Sequence, residues 1–363
     1  MKIPFFNIQK INNKYITNIK NSFDKVLGSG FCIGGPIVEK FENNFANYVR
    51  SKYCAGLSSG LDALILSLRA LDIKKGDEVI VPANTYIATW LAVTHVGAKI
   101  VPVEPLIDTY NINPNEVINK ITKRTKAIIM VHLYGNVCDI NKILFIAKKY
   151  NLYTIEDAAQ AHGLNYLNKK IGSHSDIVAW SFYPTKNLGA IGDAGAVTSN
   201  KKKLIDKIKK LRNYGFQNKY TNQYIGSNSR LDPIQAYILD IKLKDLNKNN
   251  EIRRKIASNY INKIKNKNIT LPTVKNNDTV WHLFVIRTNK RNKLQKYLAS
   301  NGVETMIHYL KPPHLQPIYK ELFKTKRFKI TESIHNSCLS LPCNPALSEK
   351  EQSYIINVIN KFN

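Results

Sequence analysis

Between about residues 50 and 200 the chain repeats one pattern: short apolar runs separated by helical or loop stretches. The runs are Val79-Ile80-Val81, Ile100-Val101-Pro102-Val103, Ile128-Ile129-Met130-Val131, Leu152-Tyr153-Thr154-Ile155, Ile177-Val178-Ala179-Trp180 and Ala196-Val197-Thr198. Runs that are apolar at successive positions, not alternate ones, suit strands buried on both faces. Strands linked through helices pair in parallel, because the helix returns the chain to the same edge of the sheet. The pattern predicts an α/β fold with a mixed, mainly parallel sheet covered on both sides. A chain of 363 residues builds such a core and has room for a second, smaller unit.

Local signals place the helices. Leu61, Leu64, Ile65 and Leu68 follow i, i+3, i+4, i+7 spacing, so a helix starts near Ser59, with Ser58 and Ser59 as N-cap candidates and Asp62 in the first turn. At Asp232-Pro233 a capping carboxylate precedes a proline suited to the first helical position. The helical pattern then runs for roughly 30 residues and leads into a second domain. The expected division is a large domain over 1–245, N-terminal segment included, and a small C-terminal α+β domain over 246–363. In the latter, Trp281–Ile286 reads as a strand, a helix ends near Asn301-Gly302, and another strand runs towards His308. Ser348 and Glu351 match a capping box opening the last helix.

The formal charge of +28 raises the question of a polyanionic partner. The lysines are spread along the whole chain, with abundant Asn and Ile, and no helix-turn-helix or RNA-binding motif occurs. The charge reads as a compositional bias that at most helps attract an anionic small substrate, and nucleic acid is not expected as a partner. Arg212, Arg230 and Lys311 are candidates for that local field. The five cysteines form no CxxC pair, which argues against a disulfide framework or a zinc site, and no metal is expected. No apolar run reaches the roughly 18 residues of a membrane span, and the N-terminus has no apolar signal region. The expectation is a cytoplasmic enzyme without membrane contact.

Two of the expected strands end in reactive groups. Tyr153-Thr154-Ile155 runs into Glu156-Asp157, and Ile177–Trp180 runs into Ser181-Phe182-Tyr183-Pro184-Thr185-Lys186-Asn187-Leu188-Gly189. The second segment puts Lys186 in a tight turn among small and aromatic residues, poorly placed for a solvated charge. A strand-end aspartate and a strand-end lysine together suit pyridoxal phosphate. That cofactor needs an amine to hold its aldehyde and an acid to keep its ring nitrogen protonated. Ser58-Ser59-Gly60 at a helix start offers N–H groups and hydroxyls to a phosphate. Singly, each feature has a plainer reading: a helix cap, a surface carboxylate, a loop lysine, Tyr86 as a core aromatic, His162 and His308 as structural histidines. Their occurrence together, in this order, carries the argument.

With these segments the chain resembles the DegT/DnrJ/EryC1/StrS sugar aminotransferases. The resemblance runs from about Gly28 to the C-terminus. Its landmarks include Gly34-Gly35-Pro36 with Glu39, Ser59-Gly60 with Asp62-Ala63-Leu64, and Val81-Pro82 with Thr85-Tyr86. Further on come Glu156-Asp157-Ala158-Ala159-Gln160-Ala161-His162-Gly163, the Lys186 segment with Gly192-Asp193, and Asn228-Ser229-Arg230-Leu231-Asp232. The resemblance implies pyridoxal-phosphate enzymes of the aspartate-aminotransferase-like fold, PLP fold type I. It implies that Lys186 bonds the cofactor and, once released, shuttles the proton, and that Asp157 pairs with the ring nitrogen. Gln160 would sit near the ring hydroxyl and Tyr86 would stack on the ring. Ser59, Gly60 and Ser181 would hold the phosphate, with Asn228 reaching the phosphate of a neighbouring subunit, so that a homodimer shares its active sites. Tyr183, Arg230, His308 and Tyr309 would contact the substrate.

Within the family the chain is most similar to 3-aminotransferases acting on dTDP-linked 3-keto-6-deoxyhexoses, through Gly60–Leu64, Val81–Ala92 and Ile307-His308-Tyr309-Leu310-Lys311-Pro312-Pro313-His314-Leu315-Gln316. Leu310 stands where relatives commonly have proline, and Ala194 where they often have glycine; neither change removes a catalytic group. The resemblance implies glutamate as amino donor, with amination at C4 of a 4-keto sugar as the alternative. Related sugar dehydratases replace the cofactor lysine with histidine, so Lys186 speaks against that activity.

Overall fold

The computed structural model describes residues 1–218, 220–273 and 279–363. Seven strands form the main sheet: β1 (Tyr53–Leu57), β2 (Glu78–Pro82), β3 (Lys99–Val103), β4 (Thr125–Val131), β5 (Tyr153–Asp157), β6 (Ile177–Ser181) and β7 (Gly195–Ser199). Their order is β1-β7-β6-β5-β4-β2-β3. β7 runs antiparallel to both its neighbours, and the other adjacent pairs are parallel. The apolar runs became strands because both faces are covered. Ile80, Ile128 and Met130 enter one core with Phe41, Phe45, Trp180 and Phe182. Their chain neighbours Val79, Val81 and Ile129 enter the opposite core with Leu64, Leu68 and Trp90. β1, which the apolar runs did not predict, is built from the small residues Cys54-Ala55-Gly56. A side chain on Gly56 would meet Leu231 Cδ2 at 2.6 Å.

A separate core forms around a two-stranded antiparallel sheet, β8 (Phe284–Arg287) and β9 (Cys338–Leu341). It joins Ile256, Tyr260, Phe284, Leu294 and Ile355. Ile3, from the far N-terminus, belongs to this same core and bridges to Val303.

Four local expectations shift. The long helix after Pro233 is two helices, Pro233–Leu243 and Leu246–Lys263. Their junction is fixed by contacts that no local pattern announces: the Asp245 carboxylate accepts from Tyr15 Oη at 2.9 Å and pairs with Lys14 Nζ at 2.5 Å. Asp232 occupies the N-cap position, but its side chain makes no capping hydrogen bond. β8 begins at Phe284, three residues after Trp281, because Trp281 has φ 45° and the N–H groups of Val280 and Leu283 bond to Gly135 and Tyr134 instead of a strand partner. Towards His308 the chain makes only an isolated bridge, Met306 with Ser340. The Ser348–Glu351 capping box is present as expected. Among the described residues no helix is long and apolar enough to cross a membrane.

Candidate active site

The carboxyl ends of β1, β5 and β6 and the start of β7 lie at one edge of the sheet, where parallel α/β sheets present their ligand crevice. Alternation along β5 sends Glu156 to one face, into a buried pair with His132 at 2.9 Å, and Asp157 to the other. Asp157 Oδ2 accepts from Thr89 Oγ1 at 2.9 Å, and Oδ1 accepts from the Ala159 N–H at 3.2 Å. Burial pushes the Asp157 carboxyl up, and these two donors, Lys186 and His132 oppose the rise.

Lys186 follows β6 in a turn closed by its own N–H to the Tyr183 carbonyl at 2.8 Å. Gly189 completes the turn, where a Cβ would lie 2.4 Å from the Pro184 oxygen. Asn187 anchors it from behind, donating to Asn250 Oδ1 and to the Val280 carbonyl, both at 2.9 Å. Desolvation pushes the Lys186 ammonium down to about 8, and Asp157 acts in the opposite sense.

The phosphate end is a matter of backbone approach. Ser59 caps the helix Gly60–Ala70, its hydroxyl accepting from the Asp62 N–H at 3.1 Å. A Cβ on Gly60 would lie 2.5 Å from Ser181 Cβ, and one on Gly195 would lie 2.2 Å from the Ser59 oxygen. The helix N-terminus is thereby pressed against β6 and β7, with N–H groups and the Ser59 and Ser181 hydroxyls in one place. Such a cradle suits a dianion.

These groups open into one cleft of about 620 Å³. Ser59, Gly60, Tyr86, Asp157, Gln160 and Ser181 line it. So do Tyr183, Lys186, His308 and Tyr309. Tyr86 and Tyr309 face each other with ring centres 5.2 Å apart. Gln160 spans the floor: its oxygen accepts from the Tyr134 N–H at 2.6 Å, and its amide donates to Tyr309 Oη at 3.0 Å. His308 Nδ1 is 2.8 Å from Ser340 Oγ, and burial pushes its imidazole down to about 4.

Asn228 and Arg230 are not among the residues lining this chain's own cleft. Asn228 is exposed and bridges to Asn213, and Arg230 donates to Asn213 Oδ1 at 2.9 Å and lies over the Tyr214 ring. Arg212 is held elsewhere, donating to Glu42 Oε1 at 2.5 Å and to the Gly56 carbonyl at 2.6 Å. Lys311 is exposed and also does not line the cleft.

Several site residues have no counterpart in the sequence reading. Thr89 supports Asp157 across 68 positions of chain, a contact with no local signal, and Thr85, a landmark to which no role was given, backs it. His282 enters the cleft and meets Asn187 Oδ1 at 3.2 Å. Phe5 and Phe6 reach it from the N-terminus, because the Ile3 N–H and carbonyl bond to Gly302 and Glu304 at 2.7 and 2.9 Å. That route has no local sequence signal.

The site fits pyridoxal phosphate: an amine of lowered basicity, a carboxylate held by two donors, and a phosphate-sized cradle that only glycine at position 60 permits. The comparisons agree. The chain is 50% identical over 361 residues, 99% of each protein, to the dTDP-3-amino-3,6-dideoxy-alpha-D-galactopyranose transaminase of Aneurinibacillus thermoaerophilus. The crystal structure of Streptomyces venezuelae DesV in complex with a ketimine intermediate superposes with a TM-score of 0.96 at 40% identity, covering 99% of this chain and 98% of that one. Bacillus subtilis ntda with bound cofactor PMP gives 0.93 at 34% identity, covering 99% of this chain and 84% of that one. Residues 13–360 match the sequence profile of the family. With the fold type I sheet, the lysine turn and the strand-end aspartate in place, the chain belongs to the DegT/DnrJ/EryC1/StrS aminotransferase family.

Proposed function

We propose that this aminotransferase moves an amino group from glutamate to the C3 ketone of a dTDP-linked 3-keto-6-deoxyhexose. The observation that carries the reading is the 50% identity, end to end, with a transaminase named for a dTDP-3-amino-3,6-dideoxyhexose. When bound, pyridoxal phosphate supplies an electron sink through which an amine leaves one carbon and is given to another. Lys186 Nζ would hold the cofactor and, when released, would take up or return the proton at the carbon that loses or gains the amine. The Asp157 carboxylate keeps the ring nitrogen protonated. Ser59, Gly60 and Ser181 take the phosphate, Gln160 the ring hydroxyl, and Tyr86 one face of the ring. Tyr183, His308 and Tyr309 meet the sugar nucleotide.

Asn228 and Arg230 act in the site of a second copy, in a cytoplasmic homodimer. The exposed positions of Asn228 and of the apolar Phe23, Leu27, Phe31 and Ile33 support this part of the reading. We place the boundary between the two domains near residue 245.

The test is incubation with glutamate and a dTDP-3-keto-6-deoxyhexose, with the new amine located by NMR. A product aminated at C3 is expected. A product formed only from 4-keto sugars, aminated at C4, overturns the assignment.

A further inference from the structure

We propose that Thr89, backed by Thr85, is a positioning residue that holds Asp157 as an oriented carboxylate facing the ring nitrogen of bound pyridoxal phosphate. The inference rests on the cofactor and not on the identity of the sugar.

Asp157 is buried at the end of β5, where an unpartnered carboxylate would take up a proton. The two donors that meet it both favour the anion: the Ala159 N–H at Oδ1 and the Thr89 hydroxyl at Oδ2. The Thr89 hydroxyl has a single proton. Having given it to Asp157, Thr89 can only accept from Thr85 Oγ1, which lies 2.8 Å away. The second threonine therefore fixes the direction in which the first one points. Both are buried, Thr85 2% and Thr89 0% exposed, so water does not replace either bond.

Thr89 is free to make this bond because it is the third residue of its helix, and the residue four earlier, Thr85, lies before the helix start. In a helix such a hydroxyl commonly bonds back to the carbonyl four residues earlier. Thr94, in the same helix Ile87–His95, does so, with its hydroxyl 3.2 Å from the Trp90 carbonyl. Thr89 instead donates across to β5. Its place is secured by the next residue, Trp90, whose indole N–H donates to the Pro82 carbonyl at 3.0 Å. Thr89 is also in the first turn of that helix, near its positive end.

Among the described residues, three titratable groups on other elements act on Asp157 through their charge: Lys186, the Tyr309 phenol and, from the opposite face of β5, His132. Lys186 and His132 favour the anion as well. Lys186, however, changes its charge and its bonding partner as it takes and releases the cofactor. The Thr89 hydroxyl and the Ala159 N–H keep their bonds to Asp157 whichever partner Lys186 has.

The experiment uses the full-length protein with Thr89→Val, which keeps the shape and removes the hydroxyl. Two readouts are independent of turnover: the dissociation constant of pyridoxal phosphate, and the 15N resonance of a ring-labelled cofactor, which reports whether the ring nitrogen carries its proton. Cofactor binding should weaken roughly ten- to hundredfold, the size of a lost hydrogen bond to a charged group. The resonance should move towards that of unprotonated pyridine, and Thr89→Ser should restore both. Unchanged affinity with a fully protonated ring in Thr89→Val overturns the proposal. Asp157→Asn locates the fault. If it also leaves the ring protonated, Asp157 does not partner the ring nitrogen and the proposal falls with that assignment. If it deprotonates the ring where Thr89→Val does not, the threonine proposal alone falls. Should Thr89→Val fail to fold by circular dichroism, Thr85→Val decides: a partial loss of both properties supports the proposal, and no loss overturns it.

Discussion

Lys186 must be neutral at Nζ to attack the cofactor aldehyde, and its surroundings make that possible near neutral pH. A solvated lysine is half neutral only at about 10.4. Desolvation in the turn brings Lys186 down to about 8, against the pull of Asp157 in the opposite direction. The neutral fraction is one half at that value and levels off within about two pH units above it. Mixing apoprotein with pyridoxal phosphate across a pH series should therefore give a capture rate with a midpoint near pH 8; a rate still climbing at pH 10 contradicts the assignment. Lys186→Ala should abolish turnover and the visible absorbance of covalently held cofactor, and normal turnover in that variant would remove Lys186 from the mechanism. Asp157→Asn should slow turnover by several orders of magnitude while the phosphate cradle still holds cofactor. The places of both residues in the cleft were legible in the sequence because Asp157 ends a buried strand and Lys186 lies in the turn that follows one. Thr89 was not, since its importance comes from a bond to a residue 68 positions away.

At the scale of elements, the site depends on how closely the helix Gly60–Ala70 approaches β6. Gly60→Ala adds a methyl 2.5 Å from Ser181 Cβ, with the Ser181 Cα at 3.1 Å, so backbone and not only a rotamer has to shift. The cradle should open, and phosphate binding is where the change appears: cofactor affinity should fall about tenfold or more, which corresponds to about 1.4 kcal/mol and lies within the usual overpacking cost of roughly 1–3 kcal/mol. Equilibrium dialysis of the variant measures it, and wild-type affinity would show that the cradle tolerates the methyl. The capping box far from the cleft offers the contrast. Ser348→Ala should cost about 1 kcal/mol of stability and leave cofactor affinity unchanged, which thermal melting with and without cofactor would test. Strands were readable because burial on both faces leaves a continuous apolar run. The broken helix at Asp245 and the late start of β8 were not, because tertiary bonds to Tyr15, Gly135 and Tyr134 decide them.

The whole molecule raises the question of how many chains make one site. Ten of the proposed site residues converge on a single cleft, while Asn228 and Arg230, from the segment before helix Pro233–Leu243, do not line it. A two-fold pairing, the commonest form of oligomer, would explain the exception by carrying that segment to the cleft of the other copy. The idea has a sharp consequence. In Lys186→Ala the chain lacks its own lysine but can still lend Asn228. In Asn228→Asp the chain keeps its lysine but lends a carboxylate to a site that binds phosphate, and repulsion between like charges should leave it inactive. When the two inactive proteins exchange subunits, about half of the dimers are mixed. In each mixed dimer one site has both defects and the other has neither. Activity should return to about a quarter of the wild-type value per site, in step with the rate of subunit exchange. Two arms make the result decisive. Asn228→Asp alone must be inactive, which itself tests whether that residue reaches any phosphate. Sedimentation of the wild-type protein must show a dimer, since an active monomer would place every essential group on one chain and leave Asn228 outside the site.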